Sequence, residues 1–179
     1  MSDFWSIYDR FITRPGADSL KAWLQGTDIE TCPASTRFHE SYVGGLKDHS
    51  VKVFHELCRL VKAYPEVKAS METIAVVSLL HDICKLNTYK TELRNKKDEN
   101  GKWIQVPFYT FQEDLSYGNH GGKSVYLVQK HIRLTDEEAV AIQCHMGVET
   151  GNYAVNDAYR QFPLAFLLHT ADMGSTINF

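Results

Sequence analysis

The sequence predicts a mainly α-helical domain with a small β-hairpin insertion, and three observations carry that prediction. Across 45–64, Leu46, Val53, Leu57, Leu60 and Val61 recur at the three-, four- and seven-residue spacings of one helix face. Across 70–84 the run SMETIAVVSLLHDIC is apolar almost throughout, which suits a central, buried helix. Across 88–111 the pattern changes to charged TYKTELRNKK, then DENG, then the alternating WIQVPFYTF, as expected for two strands turning near Asn100-Gly101.

From the N-terminus, residues 3–12 and 17–25 read as two short helices, split where Arg14, Pro15 and Gly16 interrupt helical pattern. They form an expected helical extension over 1–37, followed by one domain over 38–179 with the hairpin inserted at about 88–111. The long helix over 45–64 stops at Pro65. Ser70 is the expected N-cap of the apolar helix, in which Met71, Ile74, Val77, Leu80 and Ile83 keep hydrophobicity nearly continuous. Beyond the hairpin come a helix over 121–132 and another over 135–146, whose start is marked by a Thr135–Glu138 capping box. A polar loop over 147–157 and a last helix over 162–173 complete the chain. No repeat, low-complexity tract or linker interrupts this order.

With 179 residues the chain has room for one domain with a sizeable core, so one site is expected. Apolar residues at 44% and charged residues at 23% exclude wholesale disorder. A net charge of -3 excludes the broad cationic surface of a dedicated nucleic-acid binder, so an anionic substrate must be attracted locally. Cys32, Cys58, Cys84 and Cys144 stand far apart with no CxxC pair, and reduced, buried thiols are expected. MSDFWSIYDRF has no basic region and no long apolar run, and no segment approaches the roughly 18 apolar residues of a membrane span. A cytoplasmic protein without membrane partners is the expectation.

The sharpest local feature is His81-Asp82 at the polar end of the apolar helix. Neighbouring helix residues point about 100 degrees apart, so both reach one ion only where the helix end borders a cavity. A buried, unpaired carboxylate costs several kcal/mol, and a divalent cation is a common way to compensate it. Taken alone, a solvent-exposed helix-terminal pair explains the dipeptide equally well. The other polar residues change the balance. His49 shares the stripe of Leu46 and Val53; His145 follows Ala141 and Ile142 by four and three residues; Asp172 follows Leu168 by four; and His120 opens a helix. Five helices thus each send a metal-ligating residue inward or to an end, and a shared metal centre explains them together.

Taken in order, FHESYVGGLKDHS, LLHDICK, GNHGGKSVYLV, AIQCHMG and LLHTADM resemble the HD-domain metal-dependent phosphohydrolases. The resemblance covers roughly 38–175 and extends to small bacterial and phage HD hydrolases and to the HD module of certain 3′-to-5′ exoribonucleases. It implies an all-helical HD bundle. It also implies that His49, His81, Asp82 and Asp172 hold one metal, and that His120 and His145, with Asp82 bridging, hold a second. The spacing around Gly118, Gly122, Lys123 and Ser124 is not a phosphate-binding P-loop, which needs four residues between its glycines and a core strand before them.

A mixed histidine and carboxylate set suits one or two ions of Mn, Fe, Co, Ni or Zn better than Mg. Two such ions activate a water for in-line attack on phosphorus, which makes Asp82 and Lys85 the expected catalytic residues and a nucleotide or other phosphate ester the expected substrate. Lys85 either binds a phosphate oxygen or offsets a helix C-terminal dipole. His39 lines the pocket or packs beneath it, and Lys123, near a helix start, is placed to meet a phosphate. The hairpin interleaves Lys90, Arg94, Lys96, Lys97 and Lys102 with Tyr89, Trp103, Phe108, Tyr109 and Phe111. That composition fits either a lid over a nucleotide or short single strand, or a solvated ribbon packed by its aromatics. His169 is a candidate for orienting a ligand or for ligation itself, whereas His55 and His131 fall on polar faces. Two other activities are compatible with the same residues: a di-iron oxygenase on the HD fold, and a nucleotide-binding module without turnover.

Overall fold

The computed structural model describes residues 3–112, 119–148 and 154–177. Among these, the chain runs α1 (Phe4–Phe11), α2 (Ala17–Gln25), α3 (Gly45–Ala63), α4 (Met71–Leu80), a 3₁₀ turn (Ile83–Lys85), β1 (Tyr89–Lys97) and β2 (Trp103–Phe111). It continues with α5 (His120–Gln129), α6 (Asp136–Cys144), α7 (Ala154–Gln161) and α8 (Pro163–Ser175). The architecture is mainly α with one antiparallel hairpin, as the sequence predicts.

Helix α4 is the axle of the fold. Every residue from Ile74 to Leu80 is buried, so the helix has no polar face. It packs against α1, α3 and α6, while α3 and α6 both pack on α8. Each fully buried Val, Leu or Ile contributes roughly 1.5–3 kcal/mol. Ser70 caps the start by accepting the N–H of Thr73 at 3.0 Å. The helix stops at Leu80, four residues before the predicted end, and the 3₁₀ turn takes over with Lys85 N–H bonding the Asp82 carbonyl at 3.0 Å. That early change of helical type reorients Asp82 relative to His81.

The N-terminal helices are built into the core instead of lying beside it: Phe4, Ile7, Tyr8, Leu20 and Leu24 belong to the same buried cluster as Leu79, Ile142 and Leu168. The segment between α1 and α2 is tied down at two points. Glu72 accepts the N–H groups of Thr13 and Arg14 at 2.8 and 2.9 Å. The Arg14 guanidinium forks onto both oxygens of fully buried Glu138, each at 2.7 Å. Glu138 also completes the expected capping box with Thr135.

Strands β1 and β2 pair from Tyr89 with Phe111 to Lys97 with Trp103. Asp98 closes the turn, its Oδ1 accepting from the N–H groups of Asn100 and Lys102 at 2.9 Å each. Outside its base the ribbon is largely exposed. Two further predictions are corrected. Helix α7 occupies part of the predicted 147–157 loop, of which 149–153 lie outside the described residues. Cys32 and Cys84 are buried as expected, but Cys58 and Cys144 are only partly so; all four thiols are free. No described helix is long and apolar enough to cross a membrane.

Candidate metal centre

The helices converge on Asp82. Its Oδ1 lies 2.7 Å from His120 Nε2 and 3.4 Å from His145 Nε2. Its Oδ2 lies 3.5 Å from His81 Nε2 and 3.9 Å from His49 Nε2. Asp172, from α8, brings Oδ1 to 3.0 Å from His49 Nε2 and 3.8 Å from His81 Nε2. All six residues predicted as ligands are therefore gathered in one place. One carboxylate divides them into two sets, His49, His81 and Asp82 on one side and Asp82, His120 and His145 on the other, with donor atoms of each set within 4.8 Å of one another. Asp172 closes the first set and also reaches His145.

The histidine tautomers point their donor atoms at this space. His81 Nδ1 lies 2.9 Å from the Ser78 carbonyl and His145 Nδ1 lies 2.7 Å from the Ile142 carbonyl. A carbonyl only accepts, so each Nδ1 carries its proton and each Nε2 faces inward; Asp82 beside it outweighs burial and raises the His145 pKa above its ordinary value. The Nε2 atoms of His49, His81 and His145 are buried without a hydrogen-bond partner. His49 Nε2 and Asp172 Oδ1 are close at 3.0 Å yet not aligned as donor and acceptor. Lone pairs and carboxylate oxygens facing one another in a buried space repel unless a cation stands between them. Nitrogen and oxygen donors in this mixture fit a divalent metal ion.

Electrostatics agree with that fit. Burial drives the His81 pKa down to about 4, so the ring is neutral at pH 7. Burial works against ionising Asp82 and Asp172, but neighbouring groups outweigh it and hold both carboxyls below the usual range. For Asp82 the strongest of these is the Lys85 ammonium. Lys85 Nζ bonds Asp82 Oδ2 at 2.5 Å, with the lysine side chain 12% exposed.

Close helix packing sets these distances. A Cβ on Gly121 would fall 2.4 Å from the Gln143 carbonyl oxygen and 2.5 Å from that of Ile142, so only glycine lets the start of α5 rest on the end of α6. This contact brings the His120 and His145 rings to 5.7 Å between centroids. His169 supports the same corner: its Nδ1 lies 2.7 Å from the His145 carbonyl, and its ring stacks on Tyr159. It thus braces the backbone of His145.

A cavity of about 350 Å³ opens over Asp82, Asp172 and His120. Lys85 and His39 line it, and so do Phe38 and Phe111, which are 75% and 66% exposed. Burial lowers the His39 pKa, with His49 and Lys85 adding to the effect, so this ring too is neutral at pH 7. Lys123 is not among the cavity's lining residues; it lies in the first turn of α5, and Gly118 before it is outside the described residues. Sequence reasoning passed over Phe38 and Glu40, which flank His39 in a segment without periodicity. The only local signal was their adjacency to that histidine. Comparisons with protein-family models, curated proteins and solved structures each gave no match.

Proposed function

We propose that the protein is a metal-dependent phosphohydrolase of the HD type, acting on a nucleotide or a related phosphate ester. The observation that carries this reading is the bridging position of Asp82, one oxygen toward His49 and His81 and the other toward His120 and His145. A divalent cation bound there, one in each set, supplies a nucleophilic water at neutral pH and offsets the charge that builds on the phosphoryl group. Mn, Fe, Co, Ni and Zn suit the donors better than Mg.

Asp82 holds the two halves of the site in register, and Asp172 completes the half nearer α3. Lys85 lines the cavity beside Asp82, where its flexible stem carries the ammonium to a phosphate oxygen as a point charge. His39, neutral and on the wall, offers a hydrogen bond to the ester. Phe38 and Phe111 present apolar ring faces to a bound molecule, which favours a base-bearing ester over a small aliphatic one. The cavity volume of about 350 Å³ falls within the ~300–1,000 Å³ common for small-molecule sites.

The test is phosphate release from a panel of mono- and diesters with Mn, Co, Ni, Fe or Zn, run beside an oxygen electrode. Metal-dependent release without oxygen uptake is expected. Oxygen consumption by the iron-loaded protein, or metal-loaded protein inert toward every ester, would overturn the assignment in favour of an oxygenase or a binding module.

A further inference from the structure

Three of the histidines around Asp82 are wholly buried, and two of them are oriented in the same way. His81 and His145 each donate Nδ1–H to the backbone carbonyl three residues earlier. His49 has no such anchor. The corresponding carbonyl, that of Leu46, accepts the Ser50 hydroxyl at 2.9 Å, and His49 Nδ1 is buried without any hydrogen-bond partner. A ligand whose ring is not fixed loses affinity, because rotation and the wrong tautomer both remove the lone pair from the site.

The group nearest to filling that gap is Glu40. Its Oε2 is likewise buried and without a hydrogen-bond partner, and it lies 3.7 Å from His49 Nδ1. The side chain is only 6% exposed, and its other oxygen, Oε1, is held by Lys52 Nζ. The backbone beneath it is fixed. Glu40 has φ +41, and its carbonyl accepts the N–H groups of Ala34 and Tyr42 at 3.1 and 2.9 Å. That carbonyl also presses on Gly45, where a Cβ would sit 2.0 Å away. An acceptor and a donor, each buried and otherwise unpartnered, are therefore held within about 1 Å of charge-assisted hydrogen-bond distance.

We infer that Glu40 is the positioning residue of His49: its carboxylate accepts Nδ1–H, fixes the tautomer, and aims Nε2 at Asp82 and Asp172. The inference rests on His49 being a metal ligand. Glu40 itself contacts neither the ion nor the substrate. It replaces, from a loop, the backbone carbonyl that serves His81 and His145 from their own helices.

The experiment uses the full chain with Zn as the probe. In wild-type protein, nitrogen-resolved NMR of the His49 ring is expected to show Nδ1 protonated and Nε2 shifted on Zn addition. Zn affinity, measured by chelator competition, is expected to fall about 10–100-fold in Glu40→Ala. In Glu40→Gln, whose amide oxygen can still accept from Nδ1–H, part of that loss is recovered. Affinity unchanged in Glu40→Ala while His49→Ala lowers it would overturn the inference and leave the metal centre standing. So would a wild-type spectrum with Zn on Nδ1, which would place an ion among His39, Glu40 and His49 instead. Unchanged affinity in both Glu40→Ala and His49→Ala would overturn the metal centre as well. The wild-type spectrum decides the matter even if a variant fails to fold.

Discussion

His145 Nε2 faces Asp82 Oδ1 across 3.4 Å, while the proton on the opposite ring nitrogen is engaged by the Ile142 carbonyl. For a neutral imidazole this sets a lone pair against a carboxylate, so the arrangement calls for a cation or a second ring proton between them. Asp82→Ala removes the one group shared by both halves of the site. Metal content of protein purified without chelator is expected to fall to background, while His120→Ala retains the ion of the His49, His81 and Asp172 half. Elemental analysis of the two variants beside wild type measures the difference. Equal content in Asp82→Ala and wild type would rule out the bridge.

Lys85 occupies the same carboxylate from the cavity side. Replacing it by Met removes a cation that competes with the metal and, on the proposed reading, the contact to phosphate. Metal affinity is expected to hold or rise, and kcat/KM for phosphate esters to fall about 100-fold, the scale of losing one charge-stabilising donor. If Lys85 only neutralises Asp82, the metal-loaded variant will turn over at the wild-type rate.

Phe38 and Phe111 are exposed, so truncating them leaves the core intact; stability is expected to change by less than about 0.5 kcal/mol. Stacking on an aromatic face is worth about 1–3 kcal/mol per base. Phe111→Ala should therefore raise KM for a nucleoside monophosphate by roughly 10-fold. Its KM for glycerol phosphate should stay the same. Steady-state kinetics on the two substrates separates them, and equal effects on both would show that the rings do not read the base.

Away from the site, the partly exposed Arg14 forks onto the fully buried Glu138. Burial opposes ionisation of Glu138, but Arg14 and the Thr135 N–H outweigh it and lower its pKa below 4.5. The sign follows directly. This contribution is fully present above the unfolded value of about 4.5 and is lost as pH falls through the lower folded value. Glu138→Gln is expected to cost about 3 kcal/mol at pH 7 and to flatten the acid side of the stability profile. Denaturant titrations of both proteins from neutral to acidic pH provide the check.

The sequence made the clustered polar residues legible because His49, His145 and Asp172 fall on apolar helix faces, where a polar residue must be explained. The hairpin was legible from its alternation, and the start of α6 from its capping box. Other features left no comparable trace. Glu40 is placed by a left-handed backbone and the carbonyl contact on Gly45, neither of which has a period. Helix α7, AVNDAYRQ, buries only Val155 along its length, and its Asn and Asp read as loop residues. It is held instead from α6, whose Cys144 carbonyl accepts the Tyr159 hydroxyl at 2.9 Å. The end of α4 at Leu80 was hidden because Ile83 continues the apolar pattern through the 3₁₀ turn.

Anomalous diffraction from crystals grown with Mn or Zn tests the metal centre most directly. The expected result is density between the carboxylates of Asp82 and Asp172, within about 2.0–2.2 Å of the Nε2 atoms of His49 and His81. A second peak is expected beside His120 and His145. Well-ordered crystals in which these residues bind no ion at millimolar metal, with their rings still facing one another across the space, would contradict it.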